Sequence, residues 1–246
     1  MLLSSRGSSF GELLLTLLFC WLTNTAGAGI LGPWLDEEPV PLADTGIDAG
    51  PTLPDVEPPQ CDTRGLVRGE LLPELPELYT RWEADRTWGT RYMNDTIISV
   101  AEEMAFILPE GDPIVIGDIS RKGGGLLLGH KSHRNGVDAD IGLYSGDNRQ
   151  PADGAFHDLS PSTWDVEANW LMIKAMLDTG RVKFILLDQV LINDMRKWLL
   201  ENRILERDEV DRIFPPPGTP RTWEMDGIVR HASGHRNHLH LRVRCR

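Results

Sequence analysis

A chain of 246 residues can hold one sizeable domain once its non-domain segments are set aside. Its formal net charge is −12, but seven of those negative charges fall in one stretch, so the remainder is only mildly acidic. The arginines that cluster near the C-terminus come with no basic helix or aromatic platform, which excludes a nucleic-acid binder.

Met1 to Ala28 reads as a secretory signal: Arg6 precedes an apolar run from Leu13 to Leu22, and Ala26-Gly27-Ala28 fits a small-residue cleavage site. The run is too short for a transmembrane anchor. Phe19 directly before Cys20 argues against lipidation there, because a small residue is expected at that position. Residues 29–60 hold seven prolines and seven acidic residues with no Lys or Arg, a composition that cannot bury enough apolar surface to offset its ordering entropy. It reads as a disordered tether, and residues 61–246 as the domain. In an exported protein Cys61 and Cys245 could close a long loop, but the sequence does not report their separation and leaves the bridge open.

Within the domain, residues 61–91 carry little periodic signal; Trp82 and Trp88 read as core or groove-wall aromatics. Asn94 or Asp95 can cap a helix running to about Leu108, with Ile97, Val100, Ala101, Met104 and Leu108 as its apolar stripe. The apolar run Ile114–Ile119 predicts a buried central strand, and Gly123-Gly124-Gly125 a turn leaving room for a substrate backbone. The loop after Tyr144 contains His157, read as a loop residue. A helix follows over Trp164–Asp178 with Gly180 beyond its end, then a strand over Val182–Leu187, and a helix capped by Asp188. Asp208–Ile213 predicts a short helix, stopped by Pro215-Pro216-Pro217-Gly218. Strands and helices interleave without a regular repeat, which predicts an α+β domain whose central sheet is mainly antiparallel and flanked by helices.

Two stretches carry the chemistry. Gly129-His130-Lys131-Ser132-His133-Arg134-Asn135-Gly136-Val137-Asp138-Ala139-Asp140 and His235-Arg236-Asn237-His238-Leu239-His240 hold five of the seven histidines. Val137, Ala139, Ile141 and Leu143 alternate with Asp138 and Asp140, and Leu239, Leu241 and Val243 alternate with His238, His240 and Arg242, the period-2 pattern of strands with one buried face. Asp138 and Asp140 therefore project together, as do His238 and His240. A loop His, a strand Asp and a strand His can supply three ligands to a tetrahedral Zn²⁺ on the sheet, with a fourth position left for water. Asp138 reads equally as a carboxylate that fixes a ligand imidazole or as a surface acid, and His130 is divided in the same way. Arg230, Arg236, Arg242, Arg244 and Arg246 near the second cluster would favour a carboxylate-bearing substrate.

These elements together resemble the penicillin-insensitive murein endopeptidases, within the superfamily of lysostaphin, D-Ala-D-Ala metallopeptidases and hedgehog domains. The resemblance rests on Gly117-Asp118, the glycine turn, Gly129 to Ile141, His235 to His240 and the strand ending at Cys245. It implies zinc ligands at His133, Asp140 and His240, a general base at His238, and His235 as a helper that positions water or the oxyanion. It also implies an exported, periplasmic enzyme that hydrolyses peptide cross-links of peptidoglycan at a D-alanyl to meso-diaminopimelate bond. Two rivals stand beside it: a D-Ala-D-Ala carboxypeptidase or dipeptidase, and a zinc-stabilised, non-catalytic cell-wall-binding domain.

Overall fold

The computed structural model describes residues 53, 55–60, 64–151, 153–216, 218–219 and 227–246, all within one unit spanning Asp48–Arg246. The stretch read as a secretory signal, most of the stretch read as a tether, and Cys61 lie outside the described residues. Cys245 is disulfide-bonded. Asp55–Gln60 follows the domain surface: the backbone N–H of Arg246 donates to the Pro59 carbonyl at 2.9 Å, and the Arg246 guanidinium pairs with Glu57 at 2.5 Å.

The central sheet is built around β5 (Asp138–Gly142) and β8 (His238–Val243), the two strands read from alternation. They pair antiparallel with Asp138 opposite Arg242 and Asp140 opposite His240. This register sets the whole polar set on one face. The other face carries Ala139, Ile141, Leu239 and Leu241, all buried. Burying each large aliphatic side chain is worth about 1.5–3 kcal/mol, enough to fix the register against a one-residue slip.

Outward from this pair the sheet is mixed, which corrects the expectation of a mainly antiparallel one. The strand order is β2 (Tyr79–Arg81), β4 (Ile114–Ile116), β5, β8, β6 (Val182–Leu187) and β7 (Ile228–His231). β4, β5, β8 and β6 are antiparallel neighbours, but β2–β4 and β6–β7 are parallel. The cause is connectivity. α1 (Arg91–Ile107) lies between β2 and β4 in the chain, while α3 (Gln189–Glu201) and α4 (Arg207–Ile213) lie between β6 and β7. A helical crossover returns the chain to the start of the sheet and so makes the next strand parallel. A separate two-stranded ladder joins β1 (Glu70–Leu71) and β3 (Trp88–Gly89).

The helices cover the apolar face. Ile97, Val100, Ala101 and Met104 of α1 are buried as the stripe predicts, with Leu108 partly buried just beyond it. Its cap is Thr90, four residues ahead of Asn94: the Thr90 hydroxyl accepts from the Met93 N–H at 3.2 Å and donates to the Gly136 carbonyl at 3.2 Å. Asn94 is turned to the β1 backbone instead, donating to the Glu70 carbonyl at 3.1 Å. α2 (Val166–Asp178) starts at the Asp165 cap and buries Trp170, Ile173 and Met176. Asp188 caps α3, as expected. Among the described residues, no helix is long and apolar enough to cross a membrane.

The glycine turn before the histidine motif is a packing device. Gly124 has φ +70, and a Cβ there would lie 2.2 Å from both the Leu66 N and the Arg134 O. Only a residue without a side chain permits that approach in the left-handed region. At Gly123 a Cβ would meet nothing within 4 Å, so this glycine alone faces open space.

Candidate metal centre

Asp140 reaches the site from the middle of β5, and His240 faces it from β8 across the ladder. His133 comes from the preceding loop with φ 51, a left-handed conformation uncommon for a residue with a side chain. That backbone turn puts a completely buried imidazole against the sheet. Its Nδ1 donates to the Ile119 carbonyl at 3.2 Å, which holds the ring and turns Nε2 inward. His133 Nε2, Asp140 Oδ1 and His240 Nδ1 then form a near-equilateral triangle: 3.2 Å between His133 and Asp140, 3.0 Å between Asp140 and His240, and 3.1 Å between the two imidazoles.

His130 completes a second triad. His130, His133 and Asp140 each offer a ligand atom, all within 4.8 Å of one another, a group that could hold a metal ion. The His130 ring stands farther from Asp140 than the other two imidazoles do. Its Nε2 lies 2.7 Å from Asp118 Oδ2, and its Nδ1 stands 3.6 Å from Asp140 Oδ2. Asp118 is also paired with Arg86.

Asp138 is buried to 1% exposure beneath His240, so it is not a surface acid. His240 Nε2 donates to Asp138 Oδ1 at 3.0 Å, and Arg242 Nη1 donates to both carboxylate oxygens at 2.9 and 3.0 Å. The carboxylate thus holds the far nitrogen of the imidazole and aims Nδ1 at Asp140, the arrangement that orients ligand histidines.

The field here favours positive charge. Burial alone would lift both carboxyl groups, but the His133 and His240 hydrogen bonds hold Asp140 well below the usual carboxylate range, and His240 with Arg242 does the same for Asp138. Burial would depress the His240 imidazole, yet its bonds to Asp138 and Asp140 push it up to about 9. His238 goes the other way: burial pushes it down to about 4 despite the nearby Asp140. A neutral His238 beside the ionised, buried Asp140 is a proton acceptor next to a cation-attracting hollow.

The structure brings together every histidine of the two motifs. His238 Nε2 stands 3.6 Å from Asp140 Oδ1, and its Nδ1 donates to Asn237 Oδ1 at 2.6 Å. The His235 ring lies 4.8 Å from that of His238 and 6.0 Å from that of His240. His157 pairs with Asp153 on an exposed loop, and His231 accepts from the Gln189 N–H.

A family model described as penicillin-insensitive murein endopeptidase matches residues 65–246. The chain belongs to that family. No curated protein matches it. Membership makes the chain a peptidase of the murein endopeptidase type, with peptidoglycan as its substrate.

In this family member the arginines near the second motif serve internal roles. Arg242 holds Asp138, Arg236 Nε donates to the Leu159 carbonyl, Arg244 Nε donates to the Val182 carbonyl, and Arg230 lies over the Phe184 ring. Arg246 pairs with Glu57. Composition alone suggested that they face a carboxylate on the substrate. Asp118 and Phe156, both in contact with motif histidines, carried weaker signals: Asp118 stands in the Gly-Asp pair, and Phe156 sits in a loop with no pattern at all.

Proposed function

We propose that the protein is a zinc-dependent murein endopeptidase that hydrolyses the peptide cross-links of peptidoglycan, with His133, Asp140 and His240 as the zinc ligands. The observation that carries this reading is the donor triangle. Its sides of 3.0–3.2 Å compare with roughly 3.3 Å between ligand atoms of a tetrahedral ion with bonds of about 2.0 Å. Two imidazoles and one carboxylate, with a further carboxylate behind His240, suit Zn²⁺ and leave a fourth position open. His130 is the weaker third ligand because its Nδ1 stands 3.6 Å from Asp140 Oδ2, whereas His240 Nδ1 closes the triangle at 3.0 Å from Asp140 Oδ1 and 3.1 Å from His133. A bound zinc would supply an acidified water and polarisation of the scissile carbonyl.

The chain's own groups do the rest. His238, neutral and within reach of the hollow, takes a proton from the attacking water through Nε2, since Nδ1 is occupied by Asn237. His235 stands beside it as a helper that positions the water or the developing oxyanion. Gly123 leaves low walls next to the motif loop, which suits a peptide running past the site on both sides. We place the reaction at a D-alanyl to meso-diaminopimelate bond, in the periplasm, after export directed by Met1–Ala28.

The test is a chromatographic time course with cross-linked dimeric muropeptides and monomers ending in D-Ala-D-Ala at equal concentration. The dimers are expected to be split into monomers while the monomers persist. Release of free D-Ala with dimers left intact would assign the carboxypeptidase activity instead.

A further inference from the structure

Outside the two motifs, an aromatic ring also touches the histidine cluster. Phe156 belongs to the loop between Gln150 and α2, in no helix or strand. Its ring stacks on the His238 imidazole with centroids 5.2 Å apart and planes 21° from parallel. On its other side it meets Trp82, 5.4 Å away and edge-on at 63°. Trp82 follows directly on β2, where its N–H donates to the Ile116 carbonyl at 2.9 Å, and it is 49% exposed. A row of three rings thus runs from solvent to the site.

The seat of the Phe156 ring is built into the sheet. A Cβ on Gly117 would lie 2.7 and 2.8 Å from its Cζ and Cε2, and one on Gly142 would lie 3.3 Å from its Cε1. Gly117 is itself tied to the ligand strand, its N–H donating to the Asp140 carbonyl at 2.8 Å. Two residues without side chains, Gly117 bonded to the Asp140 carbonyl and Gly142 two residues beyond Asp140 on the same strand, therefore open a slot that the ring fills.

His238 has a need that this ring meets. An acid–base group works only when held within about 0.5 Å and 10–20° of its productive geometry. The bond to Asn237 fixes which nitrogen carries the proton, but it grips one edge of the ring only, and the tilt about Cβ–Cγ needs a support against the ring face. A stacked neighbour wedged against the sheet restrains the plane of the imidazole.

We propose that Phe156 is the positioning residue for His238, buttressed by Trp82 and seated on Gly117 and Gly142. This rests on the reading of His238 as the general base. Phe156→Ala is expected to lower kcat about 10- to 100-fold on dimeric muropeptide, the scale of a misplaced reacting group, with KM within about twofold and zinc content unchanged. Phe156→Tyr, which keeps the ring, is expected to restore kcat, whereas Phe156→Leu, which fills the slot without a flat face, is not. In the zinc-loaded protein, the His238 ring protons are expected to lose their ring-current shift in Phe156→Leu. In a His238→Ala background Phe156→Ala is expected to add no further loss, as coupled residues behave. Wild-type kcat in Phe156→Ala, full rescue by Leu, or an undiminished effect in the His238→Ala background overturns the positioning role while leaving His238 as the base. A full-rate His238→Ala overturns both.

Discussion

Replacing His133 or His240 by alanine is expected to leave the purified protein with less than about a tenth of a zinc ion per chain, against about one in the wild type. In the proposed ligand set each supplies one of three protein donors, and an ion left with two donors loses much of the roughly 10–16 kcal/mol that a complete structural site can give. His130→Ala is expected to keep its zinc, because its Nδ1 lies 3.6 Å from Asp140, outside the 3.0–3.2 Å triangle. Asp138→Asn should lie between these extremes, losing about 10- to 100-fold in affinity, since the ligand remains but its orienting carboxylate is neutralised. Elemental analysis after exhaustive dialysis separates these outcomes. Zinc retained in His240→Ala and lost in His130→Ala would move the third ligand to His130.

The second large effect concerns His238. His238→Ala is expected to hold zinc normally while its rate on dimeric muropeptide falls by ~10²–10⁴-fold, the range of a lost acid–base group. The geometry separates this role from ligation. His238 Nε2 lies 3.6 Å from Asp140, outside the tight triangle, and its Nδ1 is committed to Asn237. Parallel zinc analysis and steady-state rates decide it. Zinc loss in this variant would make His238 a ligand, and an unchanged rate would remove it from the mechanism.

Much of the site was legible because its residues sit on strands. The alternation around Asp138 and Asp140, and around His238 and His240, places each pair on one face in any register, so the sequence pattern specified the polar face before any contact was known. What it could not specify is who sits opposite. Arg242 reads as a cation available to substrate, but its cross-strand partner is Asp138, one hundred and four positions earlier in the chain. Phe156 was invisible for the same reason: its role comes from Gly117, Gly142 and His238, all distant in sequence.

The fold was legible where periodicity was long and obscure where elements were short. Helices α1, α2 and α3 and strand β6 carried enough residues to show a stripe or an apolar run. β2 and β7 have three and four residues, too few for a pattern, and they are the parallel edges that make the sheet mixed. The cap of α1 was displaced because Asn94 and Asp95 are good cap types in isolation. Thr90 holds the position through its additional bond to Gly136, a tertiary contact that local propensity does not record.

The most direct measurement of the central claim is a metal titration of activity. The mature protein is stripped of metal with a chelator and supplied with cross-linked dimeric muropeptides. Zn²⁺ is then added stepwise while monomer release is followed. The stripped protein is expected to release no monomer, and the rate to rise in proportion to zinc, levelling at about one ion per chain. Undiminished splitting of dimers by protein verified to be metal-free would contradict it.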